Sequence, residues 1–557
     1  MSFTQFKNKY NIINPVLISF TLLAIFIILP LLTYKYVFPG GDMGELVDNA
    51  YRVVAFGDLP YRDFWLLFPP GEVFLPALIY KIFGVNINIL FIFFNIVSAF
   101  IGFTTFYLGR LILKDNFFST ILALLIFFNG ITANYQGFSY IHIYFLFLLI
   151  ATMFLLKFIE IKKTYLLFLS GIFVGISVFF RLYETAPMFI AAFIIIILNS
   201  AREKKPAKDI LKVLSIFIAG AALVIAIFSI SLWDIWVKMF KEVVFESLSH
   251  GTSMKTPYFF TVMNNWKLFL YIYAKQVLRQ GILSSSWKVI YGIGGWLNAL
   301  IYNILPFILI ICAGWYYIQF KFRSKNALWI LYFFIWGIVT FPKSFGRPDM
   351  GHLAYALTPL MMALIVMLFE IDFRNKVKFN FQIVIKSILS ICLVFLLLSI
   401  PIFIIDSVVL LLKPKAEVKT EAGAFYTTNI VEAQDINNVI KYIESDTVKG
   451  EYIFVTPWYS PAFYALTNRK NPTYYDSLID LVARPNAAKQ EKLCNDLLSK
   501  NTKIVIHYYA WGFDNKMRER QFQNTCPIIN YCIYNNYELV QKYGHYWIFR
   551  LKEKNLS

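Results

Sequence analysis

The sequence predicts a polytopic α-helical membrane protein with about eleven transmembrane helices and a C-terminal α/β extracytoplasmic domain. Three observations carry this. The 557 residues are 58% hydrophobic and 19% aromatic, with a mean hydropathy of +0.60. Only 15% are charged, against about a quarter in an ordinary soluble domain. Apolar runs able to cross a hydrocarbon core of about 30 Å recur along the chain and stop near residue 413. A β-barrel would instead alternate apolar and polar residues.

Spans are expected near 14–33, 87–110, 117–130, 140–157, 164–180, 186–200, 211–232, 297–320, 326–341, 354–370 and 382–405. The first, "NPVLISFTLLAIFIILPLLTY", follows a short basic start. No small-residue cleavage site follows it, so it reads as a retained span rather than a signal peptide. The net charge is +19, but the basic residues gather in short loops between apolar runs. That pattern belongs to cytoplasmic loops, not to nucleic-acid binding. "KNK", Arg110 with Lys114, "KFIEIKK", "REKKPAK", "KFRSK" and "FRNKVK" are all basic and alternate with the acidic first loop, "NGITANYQGFSY", "RLYETAP", the long 233–296 segment, "FPKSFGRPDMGH" and the tail. The positive-inside bias places the N-terminus in the cytoplasm and the first loop and C-terminal tail outside.

Residues 1–412 are thus read as a transmembrane domain with a first outer loop at 34–86, and 413–557 as the outer domain. In the tail, "YIFVT", "TKIVIHYYA" and "YWIFRL" read as strands, with "PNAAKQEKLCNDLLSK" and "IINYCIYNNYELV" as helices. About 140 residues suffice for a core. Cys312 and Cys392 lie in apolar runs and read as packing residues. Cys494, Cys526 and Cys532 have no zinc-like spacing. One disulfide is open to them outside the cell, for example Cys494 with Cys526.

The first loop, "GGDMGELVDNAYRVVAFGDLPYRDFWLLFPP", carries Asp42, Glu45, Asp48, Asp58 and Asp63. Leu46, Val47, Ala50, Val53 and Val54 form a helical apolar stripe; Asp42, Glu45, Asn49 and Arg52 fall on another face. The helix is expected to lie flat in the outer interface, as is "GEVFLPALIYKIFG". Asp42 and Glu45 are spaced as an N-cap and its capping-box partner, and Asp58 as a turn residue after Gly57. Against this stands a chemical reading, in which a carboxylate at the outer face takes a proton from an incoming hydroxyl.

The run from "GGDMGELVDNAYRVVAFGDLPYRDF" through "PPG" to "LPALIYKIFG" resembles the first outer loop of the GT-C glycosyltransferases. The branch is that of the dolichyl-phosphate-mannose protein mannosyltransferases and the lipid A aminoarabinose transferase. The resemblance covers nearly the whole chain. It implies a polyprenyl-phosphate sugar donor, transfer outside the cytoplasm and a bacterial inner-membrane location. Asp42 is implied as the general base, with Glu45 second. Many members have adjacent Asp-Glu; here two residues separate them, which leaves the assignment open between the two.

Two further outer-face clusters follow. "FFRLYETAP" sets Arg181 and Glu184 at a span end, where charge is costly and is paired or functional. They read either as an internal ion pair, or as Arg181 on a phosphate and Glu184 on a sugar or metal. "FPKSFGRPDMGHLAY" gathers Lys343, Arg347, Asp349 and His352, and resembles the R-P-D-x-x-H loop of bacterial relatives. Donor-phosphate binding is assigned to Arg181, Arg347, Lys343 and His352. Sugar or acceptor binding is assigned to Glu184, Asp349 and Tyr61.

Weaker candidates are His250 with Lys255, and Asn134, Tyr135, Gln136 and His142. Trp458, Tyr459, Phe463 and Tyr464 are expected to dock the outer domain on the membrane part. The expected function is transfer of a sugar from polyprenyl phosphate to a lipid, glycan or protein acceptor. A divalent metal is left open as a cofactor. A flippase for lipid-linked saccharides is the alternative, though it would be expected to show internal repeats.

Overall fold

The computed structural model describes residues 3–36, 41–130, 141–246, 282–320, 325–345, 350–373, 379–456, 462–475, 485–508 and 522–553, with Leu478, Leu481 and a few positions between 258 and 270. The chain forms two compact units. One comprises Met1–Leu32, Phe94–Ser231 and Met254–Val408; the other comprises Thr33–Phe93, Leu232–Ser253 and Val409–Ser557.

The first unit is helical. Among the described residues of the chain, nine helices are long and apolar enough to cross a membrane, from Pro15–Tyr36 to Ile383–Leu412. Two shorter apolar helices, Asn116–Asn129 and Thr164–Phe180, stand where the other two spans are expected. Leu353–Ile371 is wholly buried and almost entirely apolar, as a helix at the centre of a bundle should be. Ala207–Ser231 is mostly exposed and turns its apolar surface outward.

Lipid offers no hydrophobic drive for helix association, so close packing must supply it. Gly171 and Gly175 on Thr164–Phe180 and Gly220 on Ala207–Ser231 let these two backbones touch. A Cβ on Gly171 would overlap the Phe217 carbonyl, and one on Gly220 the Phe168 carbonyl. Polar groups inside the bundle find partners: Ser170 Oγ donates to the Ala151 carbonyl at 2.8 Å, and the Thr152 and Tyr332 hydroxyls meet at 2.8 Å.

Loops read as sharing one side are joined. The Asn11 side-chain carbonyl accepts from the amides of Asn116 at 2.8 Å and Phe117 at 3.1 Å, and Asn11 Nδ2 donates to Asp115 at 2.9 Å. Lys7 lies 3.8 Å from Asp115 and 6.0 Å from the Phe369 ring. Lys162 and Lys205 both pair with Glu203.

The second unit contains the first loop and the C-terminal domain. Strands β1 (Ala416–Thr420) and β2 (Gly423–Thr427) form a hairpin. Strands β3 (Ile453–Thr456), β4 (Ile504–Tyr508), β5 (Tyr537–Tyr543) and β6 (Tyr546–Leu551) form a sheet in the order β3-β4-β6-β5. Only β3–β4 is parallel. Its core joins Phe454, Val505 and Phe549 to Leu493 and Leu497 of helix Ala487–Ser499, and Trp65 of the first loop packs into the same cluster.

Several expectations change here. "YELV" does not extend the preceding helix, which ends at Asn536; it opens β5, because pairing with β6 satisfies its backbone. Phe463 and Tyr464 are fully buried, with the Tyr464 hydroxyl accepting from the Val455 amide at 2.9 Å. The Phe463 ring meets the Tyr546 ring at 5.8 Å; Trp458 and Tyr459 lie outside the described residues. The disulfide joins Cys494 to Cys532, with Cα atoms 6.0 Å apart, and Cys526 is a buried free thiol. The six-residue step from Cys526 to Cys532 carries the second cysteine round to the face that meets helix Ala487–Ser499.

Two predictions follow from this unit. Replacing Cys494 by Ser should cost about 2–4 kcal/mol by releasing a long loop in the unfolded chain. It would be read as a lower urea midpoint of the full-length protein by near-ultraviolet circular dichroism. His507 on β4 is buried, and burial pushes its imidazole down to about 4. The fold therefore holds it neutral while the unfolded chain takes up a proton near pH 6.5. Its contribution is complete above about pH 6.5 and lost as pH falls toward 4, on the order of 3 kcal/mol in all. The urea midpoint should drop between pH 7.5 and 4.5, and less so in His507→Gln; parallel curves for the two proteins would refute this.

Candidate active site

Arg181 breaks the chain between two helices. Its extended backbone (φ −148°, ψ 101°) ends Thr164–Phe180 and opens Leu182–Arg202. The side chain is thus planted at a helix N-terminus, the positive end of the helix dipole. Glu184 follows in the first turn, and its carboxylate lies 3.5 Å from Arg181 Nη1. Both residues are buried, 3% and 4% exposed. The expected ion pair is therefore present, and it has a third member: Lys343 donates to the same Glu184 oxygen.

Lys343 is the accessible member of this triad, its side chain a third exposed. Its ammonium lies 4.0 Å from the centre of the Tyr355 ring. Tyr355 stacks against Tyr144 at 6.5 Å and stands 6.4 Å from the His352 ring. Ser344 Oγ donates to the His352 carbonyl at 3.2 Å, tying the two segments together. Among the described residues, two cations face this one carboxylate beside a helix N-terminus. Such a place favours an anion, and Arg and Lys suit phosphate oxygens. Four of the residues singled out in the sequence thus converge: Arg181, Glu184, Lys343 and His352. Tyr144 and Tyr355 were not singled out, because a tyrosine inside an apolar span reads as packing.

In the second unit, helix Asp42–Phe56 starts one residue earlier than a capping box requires. Gly41, at φ 61° and ψ −135°, is the N-cap and offers no side chain, so Asp42 is the first helical residue. Only glycine adopts that backbone easily, and this shifts the start. The helix does not lie with one face free. Gly44 and the unbroken run Leu46–Arg52 are buried, because this unit covers the polar face too. Asp48 accepts from the Ala465 amide at 2.8 Å. Arg52 donates to Asp58 at 2.9 Å, to the Asp63 carbonyl at 3.1 Å and to the Thr473 carbonyl at 3.3 Å. Gly57, at φ 71°, closes the helix, and Asp58 supplies that ion pair as well as the turn.

Asp63 accepts from the Leu59 amide at 2.8 Å and from Arg62 Nη2 at 2.6 Å. Burial raises its carboxyl, but these partners outweigh it and the net shift is downward. Tyr61 is wholly buried at φ 64° and donates its hydroxyl to the Phe68 carbonyl. Burial, then the charges of Glu72 and Glu242, push its phenol well above the usual range. Three of the five loop acids are thus held in structural contacts. Asp42 is exposed and makes no hydrogen bond or ion pair among the described residues; Glu45 is half-buried in the same first turn.

His142 is buried, its ring 6.4 Å from Phe94. Arg347 and Asp349 lie outside the described residues, as do Asn134, Tyr135, Gln136, His250 and Lys255. Among the described residues, no three His, Cys, Asp or Glu side chains gather as a metal site would need.

The architecture is that of a multi-pass helical membrane protein with a C-terminal strand-containing domain. The sequence matches no protein-family model and no curated protein. Among solved structures, the chain is similar to the crystal structure of ArnT from Cupriavidus metallidurans bound to undecaprenyl phosphate. The TM-score is 0.53 at 9% identity, over 96% of this chain and 97% of that one. At that identity the likeness concerns the fold alone, which is ArnT-like.

Proposed function

We propose that this chain is an integral-membrane glycosyltransferase. It takes a sugar from a polyprenyl-phosphate donor and passes it to a lipid, glycan or protein acceptor on the extracytoplasmic side of a bacterial inner membrane. The observation that carries this reading is the Arg181–Glu184–Lys343 cluster, in which a guanidinium and an ammonium meet on one buried carboxylate. It occurs in a chain whose fold resembles that of a protein crystallised with undecaprenyl phosphate.

In the proposed reaction Asp42 removes the proton from the acceptor hydroxyl, with Glu45 the second candidate. The oxygen attacks the anomeric carbon, its bond to the phosphate oxygen breaks, and polyprenyl phosphate leaves with the electron pair. The proton stays on the carboxylate. One displacement inverts the anomeric centre. Arg181 and Lys343, joined by Arg347 and His352, hold the leaving phosphate, and preorganised charge of this kind lowers the barrier as negative charge develops. Glu184 aims the two cations and contacts the sugar together with Asp349.

The test is transfer in proteoliposomes loaded with labelled polyprenyl-phosphate sugars. Label appearing on an acceptor is the expected result. Label crossing the bilayer with no product formed would favour the flippase.

A further inference from the structure

A second cationic site lies in the unit that holds the first loop. Helix Trp233–Phe240 begins two residues after the apolar helix Ala207–Ser231 ends. It buries Ile235 and Met239. Trp233, Val237 and Phe240 remain exposed, at 75%, 82% and 48%. So short a link keeps this apolar edge near the boundary of the hydrocarbon, where amphipathic helices lie at headgroup depth.

Lys238, on the same helix, stands 4.1 Å from the centre of the Tyr474 ring. Lys492, on helix Ala487–Ser499, lies 5.9 Å from that ring, and Lys489 lies 5.6 Å from the ring of Tyr475. Tyr474 is fixed in place: its hydroxyl donates to Glu242 at 2.7 Å and lies 3.0 Å from the Tyr61 carbonyl, which can share that proton.

Neither Lys238 nor Lys492 makes an ion pair among the described residues. The acids whose charge reaches Lys238 are Glu242, engaged by Tyr474, and Asp63, engaged by Arg62. Burial, together with the like charge of Lys492, depresses Lys238, so the two ammonium groups repel each other. An anion placed between them would relieve that repulsion.

We propose that Lys238, Lys492 and the Tyr474 ring clamp the phosphate headgroup of an anionic amphiphile in the adjoining leaflet, while Trp233, Val237 and Phe240 meet its acyl chains. The phosphate matches the two cations, and the apolar edge selects a lipid over a free anion. This proposal does not depend on the transfer reaction.

Full-length protein in neutral detergent, titrated with fluorescent short-chain phosphatidic acid, tests this by anisotropy. The double variant Lys238→Gln/Lys492→Gln should bind on the order of 30-fold more weakly. Lys238→Arg/Lys492→Arg should retain binding, which separates a lost charge from a lost fold. Wild-type binding should weaken as salt rises. Unchanged affinity in the Gln variant would overturn the proposal. So would equal binding of phosphatidylcholine, or competition by inorganic phosphate at the lipid's own concentration.

Discussion

Asp42→Asn should slow sugar transfer by about 10²–10⁴-fold, the usual contribution of a positioned general base, while polyprenyl-phosphate binding stays intact. Asp48, Asp58 and Asp63 are committed to Ala465, Arg52 and Arg62. Asp42 and Glu45 remain in the first turn, and Asp42 is the one left exposed and uncommitted among the described residues. Asparagine keeps the shape and removes only the proton acceptor. Single-turnover kinetics would separate the chemical step from donor binding. Full activity in Asp42→Asn, with loss in Glu45→Gln, would move the role to Glu45.

Arg181→Met should weaken polyprenyl-phosphate binding by about 30-fold or more, as expected when one partner of a desolvated charge contact is lost. It should also destabilise the membrane part, because it leaves Glu184 buried with only Lys343. The two effects are separable. In Arg181→Met/Glu184→Gln the ion pair is removed as a whole, so stability should largely return. Lys343 keeps the net charge at its former value, yet the forked donor is gone, so donor affinity should stay low. Recovery of both together would assign Arg181 a purely structural role.

Much of this fold was legible in the sequence because a membrane span announces itself by continuous apolarity. Even the short helices Asn116–Asn129 and Thr164–Phe180 were visible. In the tail, the cores of β3, β4 and β6 read correctly as runs of β-branched and aromatic residues. β5 did not, because its alternation is weak and its pairing with β6 decides it. β1 and β2 were missed for a similar reason, each burying a single residue, Val418 and Phe425.

The close approach at Gly171 and Gly175 carried a readable signal, the G-x-x-x-G of "GIFVG". The Cys494–Cys532 pairing carried none, since connectivity among three cysteines is not encoded in their spacing. At the site, the i,i+3 relation of Arg181 and Glu184 was local and legible. The reach of Lys343 to Glu184, across 159 residues of chain, depends on helix packing that periodicity does not describe. The first-loop helix shows the same limit: its polar face looked solvent-bound until Ala465 and Thr473 were seen to cover Asp48 and Arg52.

The central claim is that a lipid-linked phosphate sits on Arg181 and Lys343. Photo-crosslinking tests it most directly, using polyprenyl phosphate that carries a diazirine beside the phosphate, with labelled peptides mapped by mass spectrometry. Labels should fall on the segments around Arg181 and Lys343 and be displaced by unlabelled polyprenyl phosphate. Displaceable labelling that spares both segments would contradict the assignment.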